Sequence, residues 1–244
     1  MGERAKIEGM ESNPFIVADA PAADRAAFFR RTYGLVAAAF GAFAVTLFAL
    51  FVSGIAETFM RSIAGVGSWG MLGVMVLFWL GTTAAQSLAF NRASRAAQYA
   101  GLAIYVVLQA IIFVPLIYYT AIVTKGNPGE ILIPACLATG ALVVALTAVV
   151  FMTNMDFSFL RVAIVIGSIC ALGVIVVSLF AGWSLGAWFS IAMIVLMATV
   201  ILYQTNEVKN TMETDQHVAA AFVLFSSFVT LLFYVIRLFA GRRE

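Results

Sequence analysis

Charged side chains are scarce here: 11% of the 244 residues are Asp, Glu, Lys or Arg, where a soluble globular chain carries roughly a quarter. The scarcity is uneven. Residues 33–53, 69–90, 99–121, 131–152, 162–181, 186–205 and 218–236 contain no acidic, basic or histidine side chain. Each stretch is about the length an α-helix needs to cross bilayer hydrocarbon, roughly 20 residues. With 63% hydrophobic residues, the chain is expected to be a polytopic membrane protein whose interior offers almost no charge for chemistry.

Metal ligands and redox groups are equally few. The chain has two cysteines, Cys136 and Cys170, both inside apolar stretches, and one histidine, His217. A zinc site needs three or four ligands from the protein, and neither HExxH nor a second histidine exists to supply them. No paired nucleophile and base stand out, so neither an enzyme nor a cofactor is expected. If the fourth and fifth spans form an antiparallel hairpin turning near residue 156, the two thiols differ by about 10 Å in depth at about 1.5 Å per residue, which disfavours a disulfide. Glu213, Asp215 and His217 could together face a cation. Capping of the last helix by Thr214 or Asp215 is the expected role of that segment.

Residues 1–32 mix charges and hold no apolar signal-peptide core, so the first span is expected to be an uncleaved anchor. The net charge of +2 is scattered, which argues against nucleic-acid partners. The organisation expected is a polar tail at 1–32, a seven-helix membrane domain at 33–239 and a short tail at 240–244. A cytoplasmic N-terminus puts nine basic residues inside (Arg4, Lys6, Arg25, Arg30, Arg31, Arg92, Arg95, Arg161, Lys209) and five outside (Arg61, Lys125, Arg237, Arg242, Arg243). That asymmetry favours N-in, and the FFRRTY flank of the first span agrees. Short loops and alanine-rich spans suggest a bacterial cytoplasmic membrane.

Local signals fill in detail. TKGNPGE and AGWSLG read as turns between spans. Asp156, just before the fifth span, is expected to cap it, and Pro115 and Pro134 can kink the spans that hold them. Gly34, Ala38 and Ala42 share one face of the first span, as small residues do where helices pack closely within a bundle or a homodimer. Gln86, Gln109, Thr147, Ser168, Ser226 and Thr230 are polar residues within spans, expected to hydrogen-bond between helices, with Gln86 and Gln109 the candidates to line a cavity. Trp69, Tyr105, Tyr118, Tyr119 and Trp183 read as packing or interface anchors.

Three segments together carry a resemblance: TAVVFMTNMDFSFLR at 147–161, LYQTNEV at 202–208 and HVAAAFVLFSSFVTLLFYVIRLF at 217–239, preceded by FFRRTY. The set resembles the Bax inhibitor motif family, which includes bacterial YccA-like membrane proteins. The matching motif positions are Thr147, Phe151 and Asp156, with Phe157, Ser158, Phe159 and Leu160 beside them, and Arg237 near the end. The resemblance implies seven transmembrane helices with six packed around a central C-terminal one. It also implies a pH-gated calcium leak whose sensor is a pair of aspartates on the sixth and seventh helices.

Here those two positions hold Gln204 and Ser227. Two close carboxylates share a proton and titrate in the neutral range, whereas an amide and a hydroxyl do not. For positions 204 and 227 to meet, the hairpin must turn near residue 215 and the sixth helix must run on through NEVKNTME. Glu207 then lies one turn from Gln204 as a candidate surrogate cation ligand, with Thr230 on the facing helix. Two functions compete: a pH-insensitive leak for Ca²⁺ or H⁺, and a non-conducting regulator that binds a membrane-bound AAA protease or another membrane partner. Oligomeric state is left open.

Overall fold

The computed structural model describes residues 15–153, 155–182 and 184–242, without the side chain of Ser68. Trp183, Arg243 and residues 1–14 of the polar tail lie outside the described residues, and so do the roles expected of them. Among the described residues eight helices follow in order: α1 Ala22–Val52, α2 Ile55–Ala64, α3 Ser68–Ala89, α4 Arg95–Val123, α5 Gly129–Met152, α6 Leu160–Ala181, α7 Ala187–Asn210 and α8 His217–Gly241. Seven are long and apolar enough to span a membrane. The exception is α2, whose 10 residues reach only about 15 Å at about 1.5 Å per residue.

Helix α8 is the core. In its apolar window 72% of residues are buried inside the protein, against 6% for α3 and for α6, because α8 alone is covered on all sides by protein. Helices α1 and α3 each pack on α4, and all three on α8; α5 and α7 pack on each other and on α8; α6 rests on the outside of α7. The two groups of backbones approach one another chiefly through α8, so this helix joins them. Aromatic rings pack α1, α4 and α8 together: Phe225 meets Phe40 edge-on at 5.0 Å, Phe43 meets Phe113 at 4.9 Å, and Tyr105 meets Phe222 at 4.5 Å. Such pairs contribute about 0.5–1.5 kcal/mol each beyond their burial.

Close backbone approach occurs between α3 and α4. A Cβ at Gly101 would stand 2.5 Å from the Ala85 carbonyl oxygen and 2.5 Å from the Ala89 nitrogen, so only glycine fits this crossing.

The small-residue face of α1 does not serve bundle packing. Gly34, Ala38 and Ala42 are exposed, together with Ala37 and Gly41. The buried stripe of α1 is Phe28, Thr32, Val36, Ala39 and Phe43, and this larger-residue stripe is the one turned to α4 and α8. Cys136 and Cys170 are free and exposed. The hairpin assumed for them does not form, since α5 packs on α8 and α7 while α6 packs on α7. Ser168 is also exposed, on the outward side of α6.

Two expected caps are replaced by other contacts. Helix α8 begins after Gln216 with no side-chain cap bond, because the 211–216 turn is engaged elsewhere. Val17 N–H donates to the Met212 carbonyl at 2.9 Å and Thr214 N–H to that of Phe15 at 2.9 Å, while Glu213 pairs with Arg92 at 3.0 Å. Helix α6 begins after Phe159, again without a side-chain cap. The Asp156 carboxylate is instead occupied by Ser158, whose backbone N–H donates at 2.9 Å and hydroxyl at 2.5 Å, closing an Asx turn.

Candidate functional site

Helix α7 runs through the polar segment to Asn210 and α8 starts at His217. The turn between them therefore sets positions 204 and 227 level, as the spacing predicts. The Ser227 hydroxyl donates across the two helices to the Gln204 side-chain oxygen, and also lies 3.0 Å from the Val223 carbonyl of its own helix. Ser227 is buried and Gln204 half-buried. Neither group carries or exchanges charge in the neutral range.

Gln204 also lines a polar cleft of about 360 Å³ within the bundle, shared with Thr82, Thr83 and Gln86 of α3, Tyr105 of α4 and Ser226 of α8. Most of these groups are partly satisfied: Thr82 and Thr83 bond the Trp79 carbonyl at 2.9 and 2.8 Å, and Ser226 bonds that of Val223 at 2.8 Å. The expectation for Gln86 holds. Gln109, one turn along α4, is buried and donates to the Tyr105 hydroxyl at 2.6 Å. The lining is neutral throughout, so the cleft offers oxygens and amide hydrogens but no fixed charge.

Glu207 is not part of this lining. Its carboxylate lies near the Tyr203 hydroxyl, with Arg161 nearby. Thr230 donates to the Ser226 carbonyl of its own helix at 2.7 Å, one turn beyond the Ser227 contact.

Further along α8 the packing is apolar. Phe228, Val229, Leu231, Leu232, Val235 and Ile236 are buried and fill about 15 Å between positions 227 and 237, taking about 1.5 Å per residue. At the far end Arg237 donates to the Leu185 carbonyl at 2.5 Å and stacks over Phe189 with its guanidinium carbon 5.7 Å from the ring centroid. It borders a second cavity of about 490 Å³. An ion placed in this apolar stretch would lose its hydration without replacement.

The motif residues gather at the end of the bundle opposite Arg237. Phe151 of α5 meets Phe29 of α1 edge-on at 5.0 Å, and the Thr147 and Tyr33 hydroxyls lie against each other without a well-formed hydrogen bond. Lys209 donates to the Val150 carbonyl at 2.9 Å and stands 5.8 Å from the centre of the Phe151 ring. Asn206 donates to Asp156 at 3.3 Å. The Ser158 hydroxyl and backbone N–H, with a smaller contribution from Asn206, hold the Asp156 carboxyl below the usual carboxylate range. FFRRTY, the 147–161 segment and NEVKN thus build one joint between α1, α5 and α7. Asn206 and Lys209 were not singled out from the sequence, where they read as the solvated end of a helix.

Residues 25–244 match the family described as inhibitor of apoptosis-promoting Bax1. Comparison with curated proteins finds no match. Because the match takes in nearly the whole chain, including the joint, the Gln204–Ser227 contact and the central α8, this multi-pass membrane protein belongs to the Bax inhibitor motif family.

Proposed function

We propose that this protein is a passive ion leak whose conduction changes little with pH across the neutral range. The observation that carries this reading is the Ser227–Gln204 hydrogen bond, which joins two groups that do not titrate there in the place where the family resemblance implies a carboxylate pair. The adjoining neutral cleft supports it. Its amide and hydroxyl oxygens suit transient rather than tight binding of a cation such as Ca²⁺, for which tight sites rely on carboxylates. Protons are the other permeant considered. The N-terminus faces the cytoplasm, and the membrane is a bacterial cytoplasmic one.

The test is Ca²⁺ flux into proteoliposomes between about pH 6 and pH 8, the range in which perturbed carboxylates and histidine titrate. Native protein is compared with the double variant Gln204→Asp, Ser227→Asp. Flux that ignores pH in the native protein and acquires pH control in the double variant supports the proposal. Absence of flux from both, in vesicles containing folded protein, overturns it.

A second reading is a non-conducting regulator that binds a membrane-bound AAA protease or similar partner. The exposed Gly34, Ala38 and Ala42 face of α1 favours it, since such a surface admits another helix at close range. Deleting residues 1–14 separates the two readings: a leak survives the deletion, whereas partner regulation through the polar tail does not.

A further inference from the structure

A concave space of about 500 Å³ opens at the end of the bundle where α4 and α8 begin, bordered by Arg30, Arg31, Gly34, Arg95, Tyr99 and His217. Each arginine, and His217, stands at the edge of an apolar run: Arg30 and Arg31 before 33–53, Arg95 before 99–121 and His217 before 218–236. All therefore sit at the depth of lipid headgroups.

Among the described residues the ion pairs are Glu57–Arg61 and Glu213–Arg92, so the three guanidinium groups border this space without a carboxylate in ion-pair range among those residues. Arg31 and Arg95 lie close enough to act electrostatically on His217, and Asp215 is the acid that does so. His217 is only 4% exposed, with its Nε2 3.5 Å from the Tyr99 hydroxyl, so the floor of the space is built rather than a loose surface patch. The N-terminal ends of α4 and α8 add positive potential. Such a concentration of like charge is relieved by an anion with several oxygens, which arginine recognises well.

The apolar side of the space identifies how that anion is presented. A Cβ at Gly34 would have nothing within 4 Å, and exposed Ala38 and Ala42 continue the shallow strip at successive turns of α1. A strip leading from a basic pocket toward the membrane centre fits an acyl chain. We propose that this pocket binds the phosphate of an anionic phospholipid, with an acyl chain along the small-residue face of α1.

The experiment is native mass spectrometry of the full chain in detergent, with phosphatidylglycerol and phosphatidylcholine of identical chains in competition. The native protein is expected to prefer phosphatidylglycerol. Arg31→Gln and Arg95→Gln should each reduce that preference about tenfold, as expected for loss of one charge-assisted contact. Arg95→Lys should retain more of it than Arg95→Gln. Arg25→Gln removes the same charge from an exposed position outside the pocket and should leave the preference in place. Equal losses in the Arg25, Arg31 and Arg95 glutamine variants would mean diffuse attraction to a basic membrane face and would overturn the proposal. Displacement of bound lipid by inorganic phosphate, with the same dependence on Arg31 and Arg95, would keep the phosphate site but overturn the lipid assignment.

Discussion

Lys209 near the end of α7 closes the end of a different helix: its ammonium lies 2.9 Å from the Val150 carbonyl and 3.5 Å from that of Thr153. The last carbonyls of α5 have no partner within their own helix, and a cation is favourable at that pole. Lys209→Met should lower stability by about 1.5–3 kcal/mol, the range for a hydrogen bond to a charged group. Thermal unfolding in detergent reads this loss, and Lys209→Arg should recover most of it.

Gly101→Ala should be among the most damaging single-methyl additions in the protein. The new atom would meet backbone of α3 at 2.5 Å rather than the tip of a flexible side chain, so the helices themselves must separate. A loss of about 3 kcal/mol is expected, visible as a lower unfolding midpoint. Gly34→Ala, where the added methyl meets open space, should leave the midpoint almost unchanged.

Asp156 ties the 156–160 turn to α7 but does not sense neutral pH. Its folded carboxyl is held below the ordinary value, so the tie is fully present above the unfolded value near ~3.9 and is lost as pH falls through the folded one. Asp156→Ala should therefore lower the unfolding midpoint equally at about pH 6 and pH 8, where the native carboxylate is ionised throughout. The difference from the native protein should shrink only in strong acid, below about pH 4.

Ser227→Ala removes the donor to Gln204, whose amide can then turn to water in the cleft. The expected cost is about 1 kcal/mol, with no new pH dependence in any flux. Thr230→Val loses only a bond to a carbonyl of its own helix, and should cost less in the same unfolding assay.

The charge-free runs reveal all seven spans, because the exclusion of ionised groups from hydrocarbon acts on every residue of a run. They understate the helices. Helix α1 starts at Ala22 and α7 reaches Asn210, since a helix leaving the hydrocarbon no longer needs apolar residues. Helix α2 went unread for a related reason: with Glu57 and Arg61 paired at 2.6 Å one turn apart, it has no long apolar run to show it.

Meetings governed by spacing along one hairpin were legible, as Gln204 and Ser227 demonstrate. Meetings governed by packing around α8 were not. Nothing local says that Gln86, Tyr105 and Ser226 share a cleft, or that Glu213 will pair with Arg92 instead of leaving its turn free to cap α8. The α1 face failed differently. Gly34, Ala38 and Ala42 permit close approach, but the adjacent Phe28, Val36 and Phe43 stripe buries more apolar area, and that stripe was turned inward.

The innermost helix is also the last of the eight to leave the ribosome. With α8 taken away, the contacts that remain fall into two half-shells, α1 and α3 on α4, and α5 to α7, and the polar side chains of the cleft lose the cover that α8 gives them. The Phe29–Phe151 contact at one rim can hold the shells near each other, but only insertion of the final segment seats both. The fold is therefore completed by its last helix, and a chain ended before residue 217 would keep the outer walls but lack the helix that joins them.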